Sequence, residues 1–515
     1  MSAADFKKAV SLHEAGQFGE AAAIYRDILL KEPNNISVLH LLALIAMQHD
    51  NAQLVLSLSE AGLKIEPKFA LLHQDKATAL RRLGFKEKAL ESIKQALLLD
   101  PTNADFFETL ASIQRDMRQY DEAVQSLKTA IRLNPTDPKF HNSLSIVLGR
   151  YGHNEEALAH INTYIALKPK KAEGYSNRGN ILKALGRYRE ALEDYARALS
   201  IDPDIFMGRA NKAMSHLVLG EWEEGWELFE GRLPGNQPPE MNRFDKAKRW
   251  NGEAAQGKTL IIYNEQGMGD TIQFCRYIPE LQKTGAHLIF QVQGLLLSLM
   301  RQNWPAERFI SMDDPLPPYD LQCPFMSLPR IYKTRPDNVA LSSGYVQADA
   351  AKVAGGEAQL AGAGMKKIGL VWAGNPDHMN DHIRSIRLEQ FAPILKLPGM
   401  RFFSLQKGEQ AAAQIAALPE ALRPTDLSSR LNDFTDTAAI LKNLDLLISV
   451  DTSVLHLAGA LGVPAAALIQ FDPDWRWMVG RDDTPWYASV RLYRQAQFGD
   501  WGGVIGKLAE ILAKG

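Results

Sequence analysis

The chain has 515 residues, enough for about three domains at roughly 150 residues each. Its 46% hydrophobic and 23% charged side chains exclude a disordered or collagen-like polymer. The 58 basic and 60 acidic residues leave a formal charge of -2, so no global field recommends nucleic acid or an anionic membrane as partner. Two cysteines, Cys275 and Cys323, exclude a disulfide framework or a zinc ribbon and fit a reducing compartment, the cytoplasm. The opening MSAADFKKAV lacks the apolar core of a secretory leader, and no run reaches the ~18 apolar residues of a membrane span. The expectation is a chain neither exported by that route nor membrane-spanning.

Pro33, Pro67, Pro101, Pro135, Pro169 and Pro203 recur every 34 residues, a period of stacked helical pairs. Ala9, Ala43, Ala77, Ala111, Ser145, Gly179 and Ala213 form one small-residue column, and Ala21, Ala89, Ala123, Ala157 and Ala191 another. Small side chains let two helices approach closely. Gly84, Gly152, Gly186 and Gly220 mark the turn inside each pair, and each proline closes the second helix because it cannot continue the hydrogen-bond ladder. The pattern resembles the tetratricopeptide repeat, and residues 1–232 read as six full repeats with a modified terminal pair. A stack of this kind leaves a concave groove that commonly holds a protein segment. Asn177 and Asn211, in successive repeats at a groove-lining column, offer amide pairs to an extended backbone of a protein acceptor or partner. The alternative is that the repeats only support the rest of the chain or mediate a homodimer.

Residues 233–257, with Pro234, Pro238 and Pro239, break the period and read as a linker. Gly252, Gly257, Lys258 and Thr259 match G-x-x-x-x-G-K-T. A phosphate loop must follow a buried strand and open a helix, whereas here a polar run precedes the match and the strand-like LIIYN follows it. The match is therefore rejected.

From Lys258 short apolar runs alternate with helical stretches, which implies parallel sheets with ligands at the strands' carboxyl ends. Residues 258–350 form a first α/β unit, whose first strand end reads NEQGMGD from Asn264 to Asp270. Gly267 and Gly269 permit a tight turn and close backbone approach ahead of a helix N-terminus. Ile272 stands where a dinucleotide fingerprint needs its third glycine, so nicotinamide and flavin chemistry are demoted and no cofactor is expected. A second unit spans residues 366–515. Its strand Leu444 to Val450 delivers Asp451, Thr452 and Ser453 to a helix containing His456. Those amides and hydroxyls suit a diphosphate, but Asp and Thr are also ordinary N-caps. Asp270 likewise reads as a base or as a cap. Trp475, Trp477, Trp486 and Tyr487 read as packing surface or as stacking platforms for a base or sugar.

The runs GMGD at 267–270, GLVWAGNPDHMNDHIRSI at 369–386, SLQKGE at 404–409 and VDTSVLHLAGALG at 450–462 resemble glycosyltransferase family 9, the heptosyltransferase-related family. DWRWMVGRDDTPWY at 474–487 is similar to bacterial tetratricopeptide proteins that carry such a C-terminal domain. The resemblance implies an all-α repeat solenoid followed by a GT-B transferase of two Rossmann-like units. It implies an inverting, metal-independent transfer in which Asp270 takes the proton of an acceptor hydroxyl. A nucleotide-sugar would be a substrate held by Arg384, Gln406, Lys407, Glu409, Asp451, Thr452, Ser453 and His456. Lys407 and Arg384 would neutralise the leaving phosphate, Glu409 would bond a ribose, and His456 would shape the sugar pocket. Flagellin-modifying enzymes share this architecture, which suggests a Ser/Thr acceptor on a protein. Two other readings stay open: a scaffold with an inactive transferase domain, and a transferase acting on a glycan or lipid-linked acceptor.

Overall fold

A computed structural model describes residues 3–205, 207–233, 243–360, 364–376 and 381–514. Pro234, Pro238, Pro239 and the DHMN run at 377–380 lie outside the described residues. The chain divides into two compact units, Met1–Leu185 and Gly186–Gly515.

The first unit is all helical, built of antiparallel pairs such as Ala70–Arg82 with Lys86–Leu99 and Ala104–Asp116 with Tyr120–Leu133. Each second helix stops two residues before its proline, as at Leu99 before Pro101 and Leu133 before Pro135, where the ladder must end. Ala43, Ala77, Ala111, Ala89, Ala123 and Ala157 are buried, so the small columns are the helix contacts. The turn inside each pair needs a left-handed residue: Gly84 and Gly152 take φ of 85° and 89°. Asp50 and Arg118 occupy the same repeat position at φ 54° and 62°, where a side chain costs on the order of 1 kcal/mol. The turn geometry is thus imposed by the pair and not by its glycine.

The second unit begins with helices Tyr188–Ile201, Gly208–Val218 and Trp222–Phe229, followed by two α/β units. The first holds β1 (Thr259–Tyr263), β2 (His287–Val292), β3 (Arg308–Ser311) and β4 (Leu321–Pro324), parallel in the order β3-β2-β1-β4. The second holds β5 (Lys366–Val371), β6 (Met400–Ser404), β7 (Thr425–Asp426), β8 (Leu446–Val450), β9 (Ala465–Ile469) and β10 (Val490–Arg494). Its order is β10-β9-β8-β5-β6-β7, again with parallel pairs. Both sheets therefore wind outward in two directions from their first strand, the Rossmann pattern. That leaves a crevice where the order reverses, between β1 and β4 and between β5 and β8.

Residues 243–257, expected as linker, are packed along the first sheet. Phe244 stacks on Tyr263 at 3.8 Å, and the Trp250 amide donates to the Gln322 carbonyl at 2.8 Å. The terminal helical pair shares one hydrophobic core with both sheets. Trp222 stacks on Trp486 at 4.8 Å, and Trp226 meets Trp475 edge-on at 5.1 Å. Trp475, Trp477, Trp486 and Tyr487 are all buried, so of the two roles open to them packing is the one observed.

Candidate functional site at the facing strand ends

At the end of β1, Asn264 and Glu265 turn inward, and helix Met268–Phe274 follows. Neither Gly267 nor Gly269 takes a positive φ, so the backbone conformation itself does not demand glycine at either position. Gly269 is required by close approach instead, because a Cβ there would lie 2.7 Å from Cδ2 of His456. The neighbour is a side chain of the facing α/β unit.

Asp270, in the first turn of that helix, accepts a hydrogen bond from Nη2 of Arg476 at Oδ1. Arg476 comes from the segment after β9 and is nearly buried. Its Nη1 donates to Asp474 at 2.8 Å and its Nε to Oε1 of Gln273 at 2.6 Å, while the guanidinium lies 4.1 Å over the Trp475 ring. Oδ2 of Asp270 points toward Gly267, 3.5 Å from where a Cβ would stand. The expected base is thus an ion-paired carboxylate spanning the two α/β units, neither a free group nor a simple cap.

At the end of β8, Thr452 precedes helix Ser453–Leu461 without capping it, and its hydroxyl bonds that of Ser449 at 3.1 Å. The leading amides of that helix carry no side-chain cap, leaving the positive end of the helix dipole unanswered. Asp451 faces His456, with Oδ1 to Nε2 at 3.7 Å. Burial pushes the Asp451 carboxyl up, but His456, then Trp477 and Arg476, outweigh it and hold the group at about 2. Nδ1 of His456 pairs with the Tyr487 hydroxyl at 2.7 Å, and its ring stacks on Trp477 at 5.5 Å. His456 is therefore a buried link between Asp451 and Tyr487, packed against Gly269.

The end of β5 completes the second crevice. Oε1 of Gln406 accepts from the amides of Trp372 and Ala373 at 3.1 and 3.0 Å, so Gln406 shapes this loop and its carbonyl oxygen is already engaged. Ser385 Oγ accepts from the Gly374 amide at 3.0 Å and donates to Asp381 at 2.9 Å. Arg384, bonded through Nε to Asp381 at 3.2 Å, lies against Gly374 where any Cβ would overlap it. An Arg384–Asp381 ion pair thus stands over Gly374 in the loop that follows β5. Lys407 donates to the Leu431 carbonyl, and Glu409 is exposed at the start of helix Glu409–Ala417.

The asparagine expectation changes as well. Nδ2 of Asn177 donates to Oδ1 of Asn142 at 2.8 Å. That bond is one rung of a polar ladder that also links His40 to Asp75, Gln74 to Thr109 and Ser143 to Glu108 across neighbouring repeats. Asn177 therefore serves repeat stacking, and Asn211 lies on helix Gly208–Val218 in the other compact unit.

Sequence reasoning missed three groups. Arg476 sat in a run read for its tryptophans. Glu265 is nearly enclosed and takes a bidentate pair from Arg232 at 2.7 and 3.2 Å. Arg276 is fully buried, donating to the Trp486 carbonyl and the Tyr345 hydroxyl at 3.0 Å each, between the rings of Tyr345, Trp486 and Tyr487. A buried arginine looks like any other in sequence. Among the described residues no group of three or more His, Cys, Asp or Glu is placed to hold a metal ion.

Comparison with known proteins fits this architecture. Tetratricopeptide repeat models match residues 75–138, 108–172 and 172–205. A model described as glycosyltransferase family 9 (heptosyltransferase) matches residues 398–477, a span that includes the 404–409 and 451–456 runs and Arg476 but not Asp270 or Arg384. Protein FlbA of Caulobacter vibrioides is 28% identical over 318 residues, 56% of this chain and 52% of that protein. The chain thus spans about half the length of the curated relative it matches. Among solved structures, YrrB, a TPR protein with an unusual peptide-binding site, aligns at 19% identity and TM-score 0.29 over 36% of this chain and 97% of its own. A thermophilic TPR protein of Thermus thermophilus aligns at 24% identity and TM-score 0.33 over 35% of this chain and 99% of its own. The chain combines tetratricopeptide repeats with a C-terminal α/β region similar to glycosyltransferase family 9.

Proposed function

We propose that the chain is an inverting GT-B glycosyltransferase that moves a sugar from a nucleoside-diphosphate donor to a hydroxyl of a protein, such as a Ser or Thr of flagellin, recruited by the repeats. One observation carries the reading. The second sheet has the full doubly wound order, and the strands flanking its switch point lead to Arg384, paired with Asp381 over Gly374, and to the uncapped helix at Ser453, whose His456 packs on Gly269 next to Asp270 of the other half. Ligands of open α/β sheets collect at this place, and a helix N-terminus with a guanidinium suits a phosphate.

In the reaction, the acceptor oxygen attacks the anomeric carbon as the bond from that carbon to the donor phosphate breaks. Oδ2 of Asp270 takes the hydroxyl proton, and the charge on the departing phosphate is met by Arg384 and the amides at the start of helix Ser453–Leu461. His456, fixed by Tyr487 and Trp477, lines the sugar side. Lys407 is exposed and gives one N–H to the Leu431 carbonyl, which leaves its other two for a phosphate as a second cation, and Glu409 has the exposure a ribose contact needs.

The test is calorimetric titration with UDP, GDP, ADP, dTDP and CMP. One nucleotide should bind the wild-type chain and lose affinity in Arg384→Ala. Asp270→Asn should keep nucleotide binding while transfer falls by roughly 10²–10⁴. No binding of any nucleotide would overturn the donor site and leave the scaffold reading. Transfer by Asp270→Asn at the wild-type rate would remove Asp270 as base.

A further inference from the structure

Arg476 is shared by both sides of the cleft. Its own loop supplies Asp474, the first α/β unit supplies Asp270 and Gln273, and the charge of Asp451 at the end of β8 acts on it as well. Two carboxylates thus bond one guanidinium, with the charge of a third behind them, beside the place that the preceding reading gives to a diphosphate. Unneutralised, they would repel that ligand. The same ion pair leaves Asp270 with one oxygen committed to a cation, a poor state for accepting a proton. Both difficulties vanish if the guanidinium changes partners. Arginine suits the exchange because its planar fork binds carboxylate and phosphate in the same geometry.

We propose that Arg476 is a donor-exchanged cap on Asp270: the diphosphate of the nucleotide-sugar draws Nη2 away from Oδ1, and the base is freed only when the donor is seated. This rests on the donor site proposed above and adds to it a further phosphate-contacting residue and an order of events, donor before acceptor. Asp474 and the Trp475 face stay with the guanidinium during the exchange and limit its travel. Gln273, fully buried under the same side chain, accepts from Nε at 2.6 Å; because the guanidinium is a rigid plane, that bond gives way as Nη2 turns to the phosphate while Nη1 stays with Asp474.

The proposal makes Asp270 a competitor of the donor for Arg476, which a purely structural ion pair would not be. The experiment titrates UDP, GDP, ADP and dTDP calorimetrically into the full-length wild-type chain and into Asp270→Asn, Asp474→Asn, Arg476→Lys, Arg476→Gln and the double variant Asp270→Asn/Arg476→Gln. For the nucleotide that binds, Asp270→Asn should tighten affinity by roughly tenfold and Asp474→Asn by less, since each removes a competing carboxylate. Arg476→Gln should weaken it by a similar factor, Arg476→Lys should recover part of the loss, and the double variant, having no guanidinium to release, should bind more weakly than Asp270→Asn alone. Unchanged affinity in Asp270→Asn, or a double variant that binds as tightly as Asp270→Asn, overturns the cap and leaves the donor site standing. If Asp270→Asn does not fold, unchanged affinity in both Asp474→Asn and Arg476→Gln overturns it instead. Binding of no nucleotide by the wild type overturns the donor site and the cap together.

Discussion

The two sheets share one strand order, yet their crevices are filled to different extents. Between β1 and β4, Glu265 and Ser327 are gripped by Arg232, while Arg249 and Arg232 pair with Glu230. The fold supplies both signs of charge and closes the crevice on itself. Between β5 and β8, among the described residues, it supplies one ion pair, Arg384 with Asp381 over Gly374, and a helix end without a side-chain cap. Topology makes two equivalent crevices, and the less filled of them is the one proposed above as the donor site. The source of the first closure is sequential: Arg232 ends the terminal helical pair, so the repeat architecture fills the first crevice.

Four substitutions probe this contrast. The largest effect belongs to Glu265→Gln, which strands the nearly buried Arg232 without its bidentate acceptor. Denaturant unfolding should show a loss of about 3 kcal/mol; a loss under about 1 kcal/mol would mean that the first crevice is not held by charge. Gly269→Ala pushes a methyl into His456 and should lower stability by roughly 1–3 kcal/mol, seen as a fall in Tm and as displacement of Asp270. Asp451 is next. Its carboxyl stands at about 2 in the folded chain against 3.8 when unperturbed. That difference stabilises the fold above the unfolded value and is lost as pH falls from near 4 through about 2. Asp451→Asn should flatten the acid limb of a stability-pH curve by up to about 2 kcal/mol. Arg384→Ala strands the buried Asp381 carboxylate and should cost roughly 1–3 kcal/mol, but unlike Glu265→Gln it should also weaken nucleotide affinity. Unchanged affinity in Arg384→Ala, or an equal loss of affinity in Glu265→Gln, would erase the distinction between the crevices.

The repeats were legible because their signals are local. A proline every 34 residues, a small residue at each crossing and a turn residue in between all act within one helical pair. The α/β class was legible from alternating runs, and the strand ends carrying Asp270 and Asp451 fell where the pattern put them. The contacts at those ends were not legible. Asp270 finds Arg476 at a separation of 206 residues, and no pattern in either segment announces the other. Asn177 looked free because its partner Asn142 lies one repeat away. Gln406 looked like a ligand contact because its hydrogen bonds to the amides of Trp372 and Ala373 cross between strands.

The amino-acid sequence alone determined the helical repeats, the order of strands and helices, and the chemical types gathered at the strand ends, because periodicity and turn chemistry act between near neighbours. Only the tertiary structure decided which charges are spent on one another. It closed the β1/β4 crevice with Arg232, tied Asp270 to Arg476 and paired Arg384 with Asp381 over Gly374. An ion pair is set by distance in space, and the chain brings its two members together only after its cores have packed.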